Sequence, residues 1–118
     1  MDTQPTTTRF SEEWRFWLAL RMVRGVGNVT YRELLTRFGS PEAVLRANSE
    51  ALKEAGVHTE VARAITSFDQ WRTIETELRK ISLTGVRLIT RLDAEYPENL
   101  THLHDPPPFL YVRGSLLP

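Results

Sequence analysis

The sequence contains no cysteine, which excludes disulfides, thiolate metal sites and a cysteine nucleophile. It also has no apolar run near the roughly 20 residues that span a bilayer, so no membrane segment is expected. The opening MDTQPTTTR lacks the basic start and apolar stretch of a secretory signal. Residues 1–10 are therefore expected to be a flexible polar tail on a cytoplasmic protein. Net charge is missing too, because 15 Lys and Arg balance 15 Asp and Glu. Any attraction to a polyanion must then come from a local patch. Walker, GxGxxG and GxSxG signatures are absent and the acids are scattered, so neither an isolated enzyme nor a cofactor is expected. His102, His104 and Asp105 lie close together near a helix end, and His58 stands apart; no third ligand follows from the spacing, and no metal site is expected.

What the chain does have is the 41% hydrophobic and 25% charged content of a globular protein. Its 118 residues suffice for one modest core, or for a small domain and part of a second. Ser11 is a candidate N-cap with Glu12 and Glu13 in the first turn. A helix over 12–23 would bury a broad face through Trp14, Trp17, Leu18 and Met22, widened by Phe16, Leu20 and Val23. Gly25 and Gly27 end it, and Asn28 can cap a helix over 29–38 with Val29 or Tyr31, Leu34, Leu35 and Phe38 inward. Gly39 suits a helix C-terminus, and Ser40-Pro41-Glu42 reads as cap, first residue and favourable acid of a short helix over 41–47. Another short helix runs from Ser49 to Ala55. After Gly56, Val61, Ile65, Phe68, Trp71 or Ile74, Leu78 and Ile81 predict one long helix ended by Gly85. Residues 11–84 thus read as a bundle of five helices.

At Gly85 the period changes. Val86–Thr90 and Phe109–Val112 are short β-branched and apolar runs. The segment between them, with Tyr96-Pro97, a short helix over 98–103 and Pro106-Pro107-Pro108, suits a parallel crossover. Two such strands bury too little by themselves, so residues 85–118 are expected to be the start of a truncated α/β domain. Their open edges should dock on the helices or pair with a second copy.

The most informative stretch is VRGVGNVTYRELL, residues 23–35. Around it Arg21, Arg24, Arg32 and Arg37 face one acid, Glu33, making it the most basic stretch of its length. A glycine-aliphatic-glycine turn directs several backbone N–H groups to the start of the following helix, where they and the helix dipole can hold a phosphate oxygen. Arg24, Gly25, Gly27, Asn28, Thr30 and Arg32 are the candidate DNA-binding residues. The same turn also serves as a plain corner between helices, and both readings stand at this point. The spacing Val23-x-Gly25-Val26-Gly27-x-x-Thr30 followed by Leu34-Leu35 resembles the helix-hairpin-helix motif, which binds DNA backbone without regard to sequence. It departs where that motif often has proline and a basic residue, here Asn28 and Val29, and where it has a small residue, here Tyr31. Leu52–Val57 with Thr59 is a weaker second hairpin without the glycine pair.

The hairpin, then LLTRFGSPEA at 34–43, GVRLIT at 85–90, YPENL at 96–100 and DPPPFLYVRG at 105–114, in that order, resemble the N-terminal part of the DprA (Smf) family of bacterial DNA-processing proteins. The resemblance covers about residues 16–116. It implies a SAM-like or helix-hairpin-helix domain, then the first two strands of an incomplete Rossmann-like α/β domain. It also implies binding and protection of incoming single-stranded DNA in natural transformation and loading of RecA. In that family the principal single-strand site and main dimer contact lie in the Rossmann-like domain, at residues that would follow Pro118. Two functions are open for the helical domain: an auxiliary DNA contact, or a protein-interaction module near Trp71 and Arg72 with possible self-association.

Overall fold

The computed structural model describes residues 6–113. The elements in order are α1 (Thr6–Met22), α2 (Asn28–Phe38), α3 (Pro41–Arg46), α4 (Ser49–Glu54), α5 (Thr59–Thr66), α6 (Trp71–Thr84), β1 (Val86–Thr90) and β2 (Phe109–Arg113), with a 3-10 turn at Glu98–His102 between the strands. The mainly helical class expected from the sequence is the one observed. The start of α1 is not as expected: the helix begins at Thr6, so Ser11 lies inside it and is not its cap. Residues 1–5 of the predicted tail fall outside the described residues.

The second half of α1 is enclosed, with Trp17, Leu18, Ala19 and Leu20 consecutive and buried, and Val23 beyond them. A helix that is apolar all round belongs in the middle of a core, and α1 packs on both α3 and α6. Met22, expected on the buried face, is 41% exposed, because the helix ends there and its side chain turns out toward the recess beside α5. In α2 the choice between Val29 and Tyr31 falls on Tyr31, which has no exposed surface. Its ring stacks on Trp17 at a centroid distance of 5.9 Å. A buried hydroxyl needs a partner, and Tyr31 donates to the Trp17 carbonyl at 2.7 Å. Burial pushes the Tyr31 phenol far above its usual range.

The punctuation after α2 follows the sequence. Gly39 is left-handed with φ 92° and its N–H reaches the Leu35 carbonyl, while the Ser40 hydroxyl accepts from the Ala43 N–H ahead of Pro41. The predicted long helix is instead two, α5 and α6. At the break the Ser67 hydroxyl donates to the Arg63 carbonyl at 2.7 Å, and Phe68 packs edge-on against Trp71 with centroids 5.1 Å apart. Both helices bury apolar faces in one core through Ile65, Ile74 and Ile81, so the pattern of apolar residues carries on across the turn. Among the described residues the bundle therefore has six helices, not five.

β1 and β2 are antiparallel, with Val86 opposite Arg113 and Thr90 opposite Phe109, not parallel as expected. A parallel return needs a crossover packed on the sheet, usually a helix, and the connection holds only a five-residue 3-10 turn. It is closed instead as a loop by Arg91 N–H to the Pro108 carbonyl at 3.0 Å and by the Tyr96 hydroxyl to the Pro107 carbonyl at 2.6 Å. Side chains alternate across a strand. One face sends Leu88 and Phe109 into the helical core, where Phe109 meets Tyr31 edge-on at 6.4 Å. The other packs Ile89 and Val112 on Tyr96. Burial of Leu88 and Phe109 is worth about 1.5–3 kcal/mol each, which accounts for the strands docking onto the helices, as expected of open edges.

Candidate nucleic-acid interface

The turn between α1 and α2 is built by local bonds: Val26 N–H donates to the Val23 carbonyl and Tyr31 N–H to the Gly27 carbonyl, the first bond of α2. Val26 points inward and is buried, which anchors the loop. The two glycines have different reasons to be there. Gly25 has φ +90°, and a Cβ on it would come within 3.0 Å of Val61 Cγ2 of α5; backbone conformation and packing both require it. Gly27 has φ −89°, which any residue adopts, and a Cβ there would meet nothing within 4 Å. Nothing in the packing demands that glycine.

Gly27, not Asn28, is the N-cap of α2, and Asn28 is its first helical residue. No side chain caps this end, unlike α3, α4 and α5, capped by Ser40, Asn48 and His58. The first N–H groups of α2 thus have no intrahelical acceptor, and the approach over Gly27 is open. Such an arrangement can offer an anion backbone donors and the positive end of the helix dipole.

The structure does not gather all six candidates at one point. Arg24, Gly25 and Gly27 are exposed in the turn, while Asn28, Thr30 and Arg32 are half-buried. Arg24 borders a recess with Glu60 and Arg63 of α5. Thr30 lines a different cleft, with Glu33, Arg37 and His58. The weaker hairpin repeats the geometry of the first. Gly56 has φ +88°, Val57 follows it half-buried, and the N-cap is His58, whose Nδ1 accepts from Glu60 N–H at 3.2 Å. Its donors are thus partly taken by a side chain, where those of α2 are not. The duplication is legible in Gly56-Val57 against Gly25-Val26.

The residues read as an interaction surface are placed differently. Trp71 is half-buried, edge-on to Phe16 at 5.9 Å, so its ring is used in packing, and Arg72 is exposed. Among the described residues there is no group of three or more His, Cys, Asp or Glu able to hold a metal ion. No helix among them is long and apolar enough to cross a membrane.

Residues 11–69, from α1 through the turn after α5, match the family model described as the DprA-like N-terminal HHH domain. The chain belongs to that family. The match takes in the hairpin and both glycines, and stops before α6 and the sheet. Relatives extend it in two directions. Protein Smf of Synechocystis sp. is 29% identical over 111 residues, covering 90% of this chain and 27% of Smf. A DNA ligase of Corynebacterium aurimucosum is 41% identical over 70 residues, covering 58% of this chain and 10% of the ligase. The DprA-like chain thus spans about a quarter of Smf and a tenth of the ligase.

Proposed function

We propose that this helical domain is an auxiliary DNA contact of a DprA-like protein, binding phosphate at the N-terminus of α2 without reading sequence. One observation carries the reading: α2 starts at a glycine whose side-chain position is open space, with no cap on its N–H groups, beside the exposed Arg24. The family and the DNA ligase relative support it: the matched domain contains the hairpin, and the ligase is named for work on DNA. The whole protein, in this reading, binds incoming single-stranded DNA in the cytoplasm, protects it and helps load RecA, with its principal site in a following domain. Phosphate contacts position a protein and carry no sequence information, so Arg24→Glu is expected to weaken binding to all oligonucleotides alike. Anisotropy of labelled oligonucleotides titrated with the chain at two salt concentrations tests this: affinity should fall as salt rises. Binding that is independent of salt, or unchanged in Arg24→Glu at low salt, would refute it.

A further inference from the structure

One aromatic ring on the sheet is left outside. Tyr111 is 52% exposed, in a strand where Phe109 and Val112 are buried and Leu110 is half-buried. Its ring stands edge-on to Phe109, with centroids 5.8 Å apart and planes at 89°, so it is braced on one side while half of the side chain meets solvent. Charged side chains of both signs stand near it. Arg21, from the last turn of α1, lies over the Phe109 ring at 5.9 Å. Lys80 of α6 lines the recess beside Tyr111 together with one acid, Glu77. Arg113 follows two residues along β2 and so shares the Tyr111 face. Arg21, Lys80 and Arg113 therefore lie on this side of the sheet together with one carboxylate, Glu77.

An exposed, braced aromatic ring amid basic side chains is how proteins hold unpaired nucleotides: the ring takes the base face and the cations take the phosphates on either side. A base inside a duplex has no free face to offer. We propose that Tyr111 is a base-stacking platform for single-stranded DNA, with Arg21, Lys80 and Arg113 as its phosphate contacts. The inference rests on the reading of this chain as DNA-binding, and adds to it a second contact, one that takes an unpaired base. Arg21 stands at the end of the helix that leads into the Gly25 turn, so one strand can engage both places.

The test compares a labelled single strand with the same sequence as duplex, using the whole chain, Tyr111→Leu, Tyr111→Trp and Gly27→Asp. Base–aromatic stacking supplies roughly a 5- to 160-fold effect per base. Tyr111→Leu should weaken single-strand binding by that factor and leave duplex binding unchanged, while Tyr111→Trp keeps single-strand affinity. A strand carrying 2-aminopurine should lose fluorescence on the wild-type chain and keep it on Tyr111→Leu. Unchanged single-strand affinity in Tyr111→Leu, or an equal loss for single strand and duplex, overturns the platform. If Tyr111→Leu has no effect while Gly27→Asp weakens both ligands, the platform fails and the hairpin contact stands. If Gly27→Asp has no effect while Tyr111→Leu weakens single strand, the hairpin fails and the platform stands. A wild-type chain that binds neither ligand at low salt overturns both.

Discussion

Substitution of Gly27 by Asp separates the two roles a glycine turn can have. The backbone at Gly27, φ −89° and ψ −170°, is the extended geometry of an N-cap, and a Cβ there meets nothing within 4 Å. An Asp side chain can therefore bond the early N–H groups of α2 without strain. Asp is preferred to Gly at this position by a few tenths of a kcal/mol, and its charge at the positive end of the helix adds about 0.3–1 kcal/mol. Folding should be strengthened by about 0.5–1 kcal/mol in total, raising the melting temperature by roughly 2–5 °C in a domain of this size. The same carboxylate takes the donors a phosphate would use and repels it. The loss of one charge-assisted contact, about 1.5–3 kcal/mol, should reduce oligonucleotide affinity at least roughly tenfold. Thermal melting and anisotropy on one preparation read both effects. A variant that is more stable and binds DNA like the wild type would show that the turn is only a corner. A less stable variant would refute the geometry itself.

Gly25→Ala should do the opposite of Gly27→Asp, because its left-handed backbone costs about 1–2 kcal/mol with a Cβ and Val61 must give way; a urea midpoint equal to wild type would contradict this. Tyr31→Phe removes the bond to the Trp17 carbonyl and should cost about 0.5–1.5 kcal/mol in the same assay. The wild type should also lose stability with alkali. The Tyr31 phenol stays protonated in the fold past its ordinary 10.0, so above that pH only the unfolded chain gives up the proton. The Tyr31 contribution to stability is then constant below about pH 10 and falls by about 1.4 kcal/mol per pH unit above it, a slope that Tyr31→Phe should make shallower. Tyr96→Phe breaks the bond to the Pro107 carbonyl and should cost about 1 kcal/mol, with faster amide exchange in β1 and β2 than in α1.

Signals that act within a few residues are legible in the amino-acid order itself. Gly39, Ser40 and Pro41 state a stop and a start by backbone geometry and hydrogen bonding, and both occur where expected. The hairpin is equally visible as glycine, valine, glycine, though not that Gly25 serves the packing against Val61 while Gly27 is free of it. That distinction depends on what lies across the turn, far along the chain. Periodicity fails where two helices share a core: Ile65, Phe68, Trp71 and Ile74 keep a helical rhythm through the Ser67–Gln70 turn because both helices face the same interior. Strand direction misleads for a related reason. The stretch 98–103 carries the pattern of a crossover helix, while the loop closure by Tyr96 and Arg91 is a long-range bond. The exposed Tyr111 cannot be told from the buried Phe109 by type, only by its place over the end of α6.

Phe109 joins parts of the chain that the family match keeps apart. Its ring touches Tyr31 in α2 and sits beneath Arg21 of α1, although it lies forty residues past the end of the matched segment, 11–69. The helical part is therefore not a bead that can be cut from its string. Removing the strands would uncover the side of the Tyr31 ring that Phe109 covers, in the first turn of α2. Any domain that follows β2 is thereby held mechanically to the hairpin, so a pull on the sheet is felt at the start of α2 and not absorbed by a linker.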